Sequence, residues 1–355
     1  MKNSVDIVVL GAGAAGLAAA ISAARTGASV ILIDRRNGPG GTGGFSGLTT
    51  LCGLYDEAGK FLNEGFAREF AEQIAEAPAQ KQGRVWALPY RPEKFRSVAA
   101  SLLEKTPNLQ THWGESLKTL RVEGGRITQL NDAAVGAVID CSGDAEIGAA
   151  AGADLLSTDD STQASAVVFA LRGVAREIGT PAEAAQVLLP IIRAGFPSLN
   201  FHPDLEPGGL TVKFSGRPEQ VPALIDCLRK NVRGFENCSA TQTHFSVSRR
   251  AGRMIVGKHL LTGAEVLAAK KFSDAIARCA WPVEQWSADG KTKLRWLPPG
   301  ECYEIPSGAL RCEKIENLFM AGKTISADVD AIASARVMGC CLATGEAAGK
   351  MAAKF

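Results

Sequence analysis

The chain is poor in several things that would have fixed its function early. It has only four histidines, and they are scattered, so no metal-ligand cluster is expected. Its nine cysteines are an odd number without a C-x-x-C pair, which reads as reduced thiols rather than a disulfide framework or a zinc site. No apolar run approaches the roughly 18 to 20 residues that span a membrane. The N-terminal MKNSVDIVVLGAG carries one lysine and a short apolar run that flows into glycine, without a signal-peptide cleavage pattern. A cytoplasmic location is therefore expected. Neither sign of charge dominates, with 39 basic against 37 acidic residues and a net charge of +2. With no basic block and no interleaving of basic and aromatic residues, no nucleic-acid partner is expected.

What is present begins at once. Val5–Leu10, VDIVVL, is a short β-branched run of the kind that forms a buried parallel strand. GAGAAG follows, with Gly11, Gly13 and Gly16 at the spacing G-x-G-x-x-G. LAAAISAARTG then reads as a helix ending near Gly27, and SVILID as a second buried strand ending in Asp34. This is the βαβ dinucleotide unit. Gly11 allows the tight turn, Gly13 lets a pyrophosphate approach the backbone, and Gly16 lets helix and strand pack closely. The helix start at Ala14 and Ala15 offers free N–H groups and a positive dipole end to phosphates. Asp34 is placed to accept hydrogen bonds from a ribose. Arg35 and Arg36 would suit a 2′-phosphate, but Asp34 would repel one. The unit leaves NAD and FAD open, because both carry an ADP half.

A second glycine cluster, NGPGGTGGFSG, packs six glycines into Asn37–Gly47. It is either a surface linker or a loop that passes close beneath a flat ligand. An NAD-binding unit has no need of it, whereas a flavin would lie over Gly40, Gly41, Thr42 and Gly43.

Several stretches together resemble the FAD-dependent oxidoreductases of the fumarate-reductase-like, glutathione-reductase-type class. They are VVLGAGAAGLAAAISAARTGASVILIDRR with GPGGTGGFSGL, RPEKFRSVAASLLEKTPNLQTHWGESL, VIDCSGDAEIGAAAGA, RRAGRMIVGKHLLTG, and ENLFMAGKTISADVDAIASARVMGCCLATGEAAG. They cover more than half of the chain. The resemblance implies an α/β fold: a Rossmann-type FAD-binding domain, a three-layer parallel sheet with a small β-meander, plus an inserted α+β substrate domain. The FAD-binding domain is expected over 1–155 and 299–355, and the substrate domain over 156–298. The resemblance also implies that Leu117, Ser142 and Gly143 lie near the adenosine, that Gly322 turns toward the ribityl chain, and that Arg336, Val337 and Met338 lie near the flavin pyrimidine edge. Asp144 is expected to cap the helix EIGAAAGA. Relatives with this fold carry an Asp after the strand-turn glycine. Lys323 stands there in this chain, with Asp328 or Asp330 as possible replacements.

Asp56 to Gln82 reads as an amphipathic helix, LKTLRVEGGRITQL as a hairpin, TGAEVLAAKKFSDAIARCA as helical, and IASARVMGCCLATGEAAGKMAA as one helix rich in small residues. In the middle of the chain His244 and Arg250 are the catalytic candidates, with Arg253 expected to serve structure. His244 and Arg250 are six residues apart and would share a face of a regular strand. An imidazole there would suit proton transfer, and a guanidinium would hold an anionic or carbonyl substrate. No second G-x-G-x-x-G, no C-x-x-x-x-C redox pair, no histidine suited to covalent flavin attachment and no W-x-W-x-I-P halogenase signature is present. The expected function is an oxidoreductase with non-covalent FAD, acting on a small-molecule substrate and passing electrons to an acceptor or O2. The alternatives are an O2-using monooxygenase and a non-catalytic FAD-binding protein.

Overall fold

The computed structural model describes residues 4–159, 161, 163–176, 178, 181–196, 199–241, 247–286 and 292–355. The inner strands of its main sheet are short apolar runs largely buried on both faces, as parallel strands tend to be, while the edge strand Leu109–Trp113 is only half-buried. The parallel order is Leu109–Trp113, Val30–Asp34, Ser4–Leu10, Ala133–Asp140, Leu318–Met320. Alternation along the central strand sends Ile7 and Val9 into one core and Val8 and Leu10 into another. The hairpin Leu120–Glu123 with Arg126–Leu130 is appended antiparallel to the start of Ala133–Asp140.

The core of Ile7 and Val9 is covered by two helices, Ala14–Arg25 and Met338–Ala352. They meet almost backbone to backbone. A Cβ on Gly345 would stand 2.1 Å from the Ala15 carbonyl oxygen, and one on Gly349 2.3 Å from that of Ala19. The spacing G-x-x-x-G thus puts two flat spots one turn apart on the same face.

A second sheet has its own core. Leu199–Pro203, Leu210–Phe214 and Ala166–Arg172 pair antiparallel, and Ser239–Ala240 and Val247–Ser248 add to the far edge of Ala166–Arg172. One face carries Val167, Phe169, Leu171, Val212 and Phe214, buried beneath the helices Pro181–Arg193 and Val221–Asn231. By the period of two, Thr211 and Lys213 face the other way. Their cross-strand partners His202 and Asn200 share that face. Thr211 Oγ1 lies 2.8 Å from Thr49 Oγ1, so this polar face looks onto the strand Thr50–Cys52.

Three expected helices are redrawn. Within Asp56 to Gln82 only Phe66–Ile74 is helical, and Gln80–Gln82 pairs with Val85–Pro89. In TGAEVLAAKKFSDAIARCA the helix is confined to Gly263–Leu267. Ala269 turns left-handed (φ +50°), and Ala275–Cys279 pairs with Tyr303–Pro306. The last expected helix is two, Val329–Ala335 and Met338–Ala352, broken at Arg336–Val337. Among the described residues no helix is long and apolar enough to cross a membrane.

Candidate functional site

The turn after the first strand is built by demands that differ from glycine to glycine. Gly11 adopts φ +99°, and a Cβ there would stand 2.3 Å from the Cys141 carbonyl oxygen. Gly16 cannot carry one either, since it would meet the Gly11 carbonyl oxygen at 1.6 Å. Both are fixed by packing. Gly13 is different. Its backbone is ordinary and extended (φ −76°, ψ −172°), and a Cβ would meet nothing nearer than the Gly41 Cα at 3.8 Å. It caps the helix Ala14–Arg25 without a side-chain hydrogen bond, so the first-turn N–H groups at Ala14, Ala15 and Gly16 lack a capping acceptor. Asp34, 6 % exposed, braces this turn: Oδ2 accepts from Ala12 N–H at 2.6 Å and Oδ1 from Arg36 N–H at 2.8 Å.

The second glycine cluster lies directly on the first. Gly41 has φ +47°, and its Cβ would stand 2.6 Å from the Gly13 Cα. Gly40 N–H donates to the Ala12 carbonyl at 2.9 Å. The segment Gly41–Phe45 forms one helical turn. Gly43 is held to glycine by the Phe95 ring, and Gly44 by the Arg96 stem. Thr42 stands exposed. Arg36 and Arg96 both place their guanidinium carbons 5.3 Å from the Phe45 ring centre. Arg35 points outward, its nearest acid being Glu146 at 3.8 Å.

The third strand-end is organised by Asp140, which is fully buried. Oδ1 accepts from the N–H and Oγ–H of Ser142, and Oδ2 from the N–H groups of Ile147 and Gly148. Burial pushes its carboxyl above the usual range against these four hydrogen bonds. The start of the helix Glu146–Ala150 is therefore capped by Asp140 and by Ser142 Oγ, which accepts from Glu146 N–H at 3.1 Å. Asp144, expected in that role, instead accepts from the N–H of Arg253 at 3.0 Å and from its guanidinium at 3.2 Å. Gly143 (φ +77°) has open space where a Cβ would be. Leu117 is half-buried on the edge of the same core.

Gly322 (φ +72°) ends the last strand. A Cβ there would stand 2.8 Å from the Ala15 Cβ, and its N–H donates to Thr344 Oγ1 at 3.1 Å. Lys323 turns away to donate to the Ala251 carbonyl at 2.8 Å. Neither proposed replacement acid is free. Asp328 accepts from the N–H groups of Gly263 and Ala331, and Asp330 from Gln285 and Arg295. The helix break at Val337 presents the start of Met338–Ala352 without a side-chain cap. The turn at Gly53 (φ +83°) packs into that break: its Cβ would stand 2.4 Å from Val337 Cγ2. The first loop, the second loop, Gly322 and this helix start thus surround the front of the first helix.

Arg336 leaves this group. Its guanidinium reaches toward the second sheet, 3.1 Å from Gln163 Oε1 and 3.4 Å from the Glu284 carbonyl oxygen. Arg250 comes to the same place. It donates to the Ala164 carbonyl at 2.6 Å and stacks 4.1 Å from the Trp286 ring centre. Burial, then the charge of Arg336, bring its pKa down to about 10. Lys213, on the polar face of the second sheet, is lowered by burial, with both arginines adding to the effect and Cys52 and Glu284 opposing it. Burial beside Lys213 drops His202 to about 3, so its imidazole is neutral. His244 falls outside the described residues. Lys213, Gln163, Glu284 and Trp286 were missed in the sequence, although the alternation in GGLTVKFSG already sets Thr211 and Lys213 opposite Leu210, Val212 and Phe214. Among the described residues no group of three metal-ligating side chains occurs. A groove of about 500 Å³, lined by Asn63, Arg278, Glu346 and Met351, lies toward the far end of the C-terminal helix, away from these loops.

Comparison with known proteins gives one short sequence match, two shared folds and one family. A stretch of 84 residues is 32 % identical to the vinyl phenol reductase of Lactiplantibacillus plantarum; it covers 24 % of this chain and only 17 % of that relative. Two solved structures share the fold. One is a geranylgeranyl bacteriochlorophyll reductase-like protein of Thermoplasma acidophilum, with TM-score 0.54, 14 % identity, and coverage of 99 % of this chain and 78 % of that one. The other is GidA of Aquifex aeolicus, with TM-score 0.55, 12 % identity, and coverage of 99 % and 63 %. The family model described as FAD dependent oxidoreductase matches residues 6–188 and 198–354, nearly the whole chain. The chain belongs to the FAD-dependent oxidoreductase family.

Proposed function

We propose that the protein binds FAD non-covalently, with its pyrophosphate at Gly11–Gly16 and its ring between the loop at Gly40–Gly43 and the helix start at Val337–Met338, and that it oxidises or reduces a small molecule there. The observation that carries this placement is Gly13. Nothing among the described residues requires a glycine at that position, yet it sits where an uncapped helix start opens. A phosphate approaching the backbone is a reason for it that the protein itself does not supply. Gly143, with its open Cβ position at the end of the neighbouring strand, fits the adenosine side of the same ligand.

Bound there, FAD would supply hydride acceptance and donation at its ring. The chain's own part is to bind and orient. The N–H groups of Ala14 and Ala15 would hold the phosphates, with the helix dipole favouring their charge. The start of the helix Met338–Ala352 would favour negative charge gathering on the pyrimidine edge. Asp34 would act chiefly by fixing the turn, since both its oxygens are engaged by backbone. In this reading residues 1–155 and 299–355 form a Rossmann-type flavin-holding part and 156–298 an inserted substrate part. The polar face of the second sheet would roof the ring, and electrons would pass on to an acceptor or O2. All nine cysteines are free thiols, which suits a reducing compartment such as the cytoplasm.

The test is to release the cofactor from the purified protein by heat and identify it by chromatography. A yellow protein yielding FAD that bleaches with a donor under anaerobic conditions is the expected result. A colourless protein that takes up NAD and cannot be reconstituted with FAD would contradict the placement.

A further inference from the structure

We infer that the recess between the second sheet and the helix break at Arg336–Val337 is a binding site for the carboxylate of an anionic substrate, held by Lys213, Arg250 and Arg336. Calling the bound molecule the substrate rests on the reading above, which puts the flavin ring at the same helix break.

Glu284 is the carboxylate whose charge acts on all three cations. That carboxylate already accepts a hydrogen bond from Trp281 Nε1 at 3.0 Å. The two arginines are linked through the neighbouring residues Gln163 and Ala164. Gln163 receives Arg336 on its Oε1 and gives its own Nε2 to the Glu284 carbonyl. Its neighbour Ala164 receives Arg250. Trp286, two residues from Glu284, has its ring under the Arg250 guanidinium carbon. Lys213 lies on the polar face of the second sheet and pairs with Val168, four residues beyond Ala164. Thr211, two residues before it on the same face, touches Thr49, so the sheet closes on this side.

The cluster is left unfinished by the protein. Arg336 Nε is shut off from water and finds no acceptor among the described residues. Lys213 has no hydrogen bond or ion pair among them either. An enclosed donor without an acceptor is costly, and an excess of enclosed positive charge more so. Yet Lys213, Arg250, Arg336 and Glu284 all keep partial solvent exposure, as the walls of an open recess do. The enclosure argues against a surface role, and Lys213, Arg250 and Arg336 form no ion pair with the acids among the described residues. An anion entering the recess would answer all three cations together.

The geometry favours a carboxylate. The Arg250 guanidinium carbon stands 4.1 Å from the Trp286 ring centre, which covers that side, and Ala164 already accepts from one of its N–H groups. A planar carboxylate fits the edge of a guanidinium. The neutral imidazole of His202, on the same face as Lys213, adds polarity without a competing negative charge.

The experiment uses the yellow holoenzyme at low ionic strength. Acetate and benzoate are titrated by calorimetry beside their neutral counterparts acetamide and benzamide, with the flavin absorbance recorded in parallel. Saturable binding of the acids, at least about tenfold tighter than the amides, is expected. Lys213→Met and Arg250→Met should each weaken it about ten- to a hundredfold, the loss of one charge-assisted hydrogen bond, while FAD stays bound. Lys213→Arg should keep most of the affinity. Acids that bind no better than amides, or that bind both Met variants as they bind the parent, would overturn the proposal and leave the flavin placement standing. Charge-dependent binding without any change in the flavin spectrum would uphold the anion site and overturn the placement of the ring.

Discussion

Gly13→Ala and Gly16→Ala differ by three positions in one turn and should fail in opposite ways. At Gly13 the added methyl finds its nearest protein atom at 3.8 Å, an ordinary contact, and φ −76° suits alanine. Alanine is a poorer helix cap than glycine, by up to about 1 kcal/mol. Against that, it restricts the unfolded chain, by about 0.4–1 kcal/mol. The two nearly cancel, so the apoprotein should melt within a few degrees of the parent. The methyl would, however, stand where the pyrophosphate must pass. An intruding methyl costs about 1–3 kcal/mol, so FAD affinity should fall about five- to a hundredfold. At Gly16 the methyl would lie 1.6 Å from the Gly11 carbonyl oxygen. Helix and strand must then part, at or above about 3 kcal/mol, and the apoprotein itself should melt earlier. Circular dichroism of the apoproteins reads the first quantity, and quenching of flavin fluorescence on titration reads the second. If Gly13→Ala binds FAD as the parent does, the phosphate does not pass there. If Gly16→Ala melts as the parent does, the packing argument for the turn is wrong.

Two further outcomes follow from the same geometry. Gly345→Ala would gain helix propensity on an isolated helix, about 1 kcal/mol. Here it must push the two helices apart from a 2.1 Å clash, so a lower melting temperature is expected, and an unchanged or higher one refutes the close contact. Glu265 gives a pH signature. Burial raises its carboxyl, but hydrogen bonds from Lys270, Thr262 N–H and His259 outweigh burial and bring it from 4.5 down to about 2. Its folded pKa is depressed, so its contribution is complete above about pH 4.5 and is lost as pH falls toward 2. Glu265→Gln should flatten that part of the stability profile, and a profile parallel to the parent's would show that another group carries it.

The parts of the fold set by short-range pattern were readable in advance. Strand, G-x-G-x-x-G, helix, strand and Asp34 follow one another within thirty residues, and each element carries its own period and its own stop. The break at Arg336–Val337 has no such mark. Neither residue is a helix breaker, and the residue that packs against Val337 at the break, Gly53, lies nearly three hundred residues earlier. Ala275–Cys279 reads as the tail of a helix because its partner strand, Tyr303–Pro306, lies further down the chain. The same distance in sequence hid the cation cluster. Arg250 was visible as a candidate, but Lys213 and Gln163 gain meaning only when the second sheet folds over the strand Thr50–Cys52. Arg336 was assigned to the flavin edge through its neighbours Val337 and Met338, while its side chain reaches the opposite wall. Of the second cluster, Gly40, Gly41, Thr42 and Gly43 were assigned to a ligand. Gly41, Gly43 and Gly44 each have a protein contact that forbids a side chain, and that contact cannot be seen from their own stretch.

The most direct test of the central claim is a crystal structure of the yellow protein. Pyrophosphate oxygens are expected about 3 Å from the N–H groups of Ala14 and Ala15, beside Gly13, with the pyrimidine edge of the flavin at the start of the helix Met338–Ala352 and the recess of Lys213, Arg250 and Arg336 opening onto the ring. FAD lying elsewhere, such as in the groove between Asn63, Arg278 and Glu346, would contradict it.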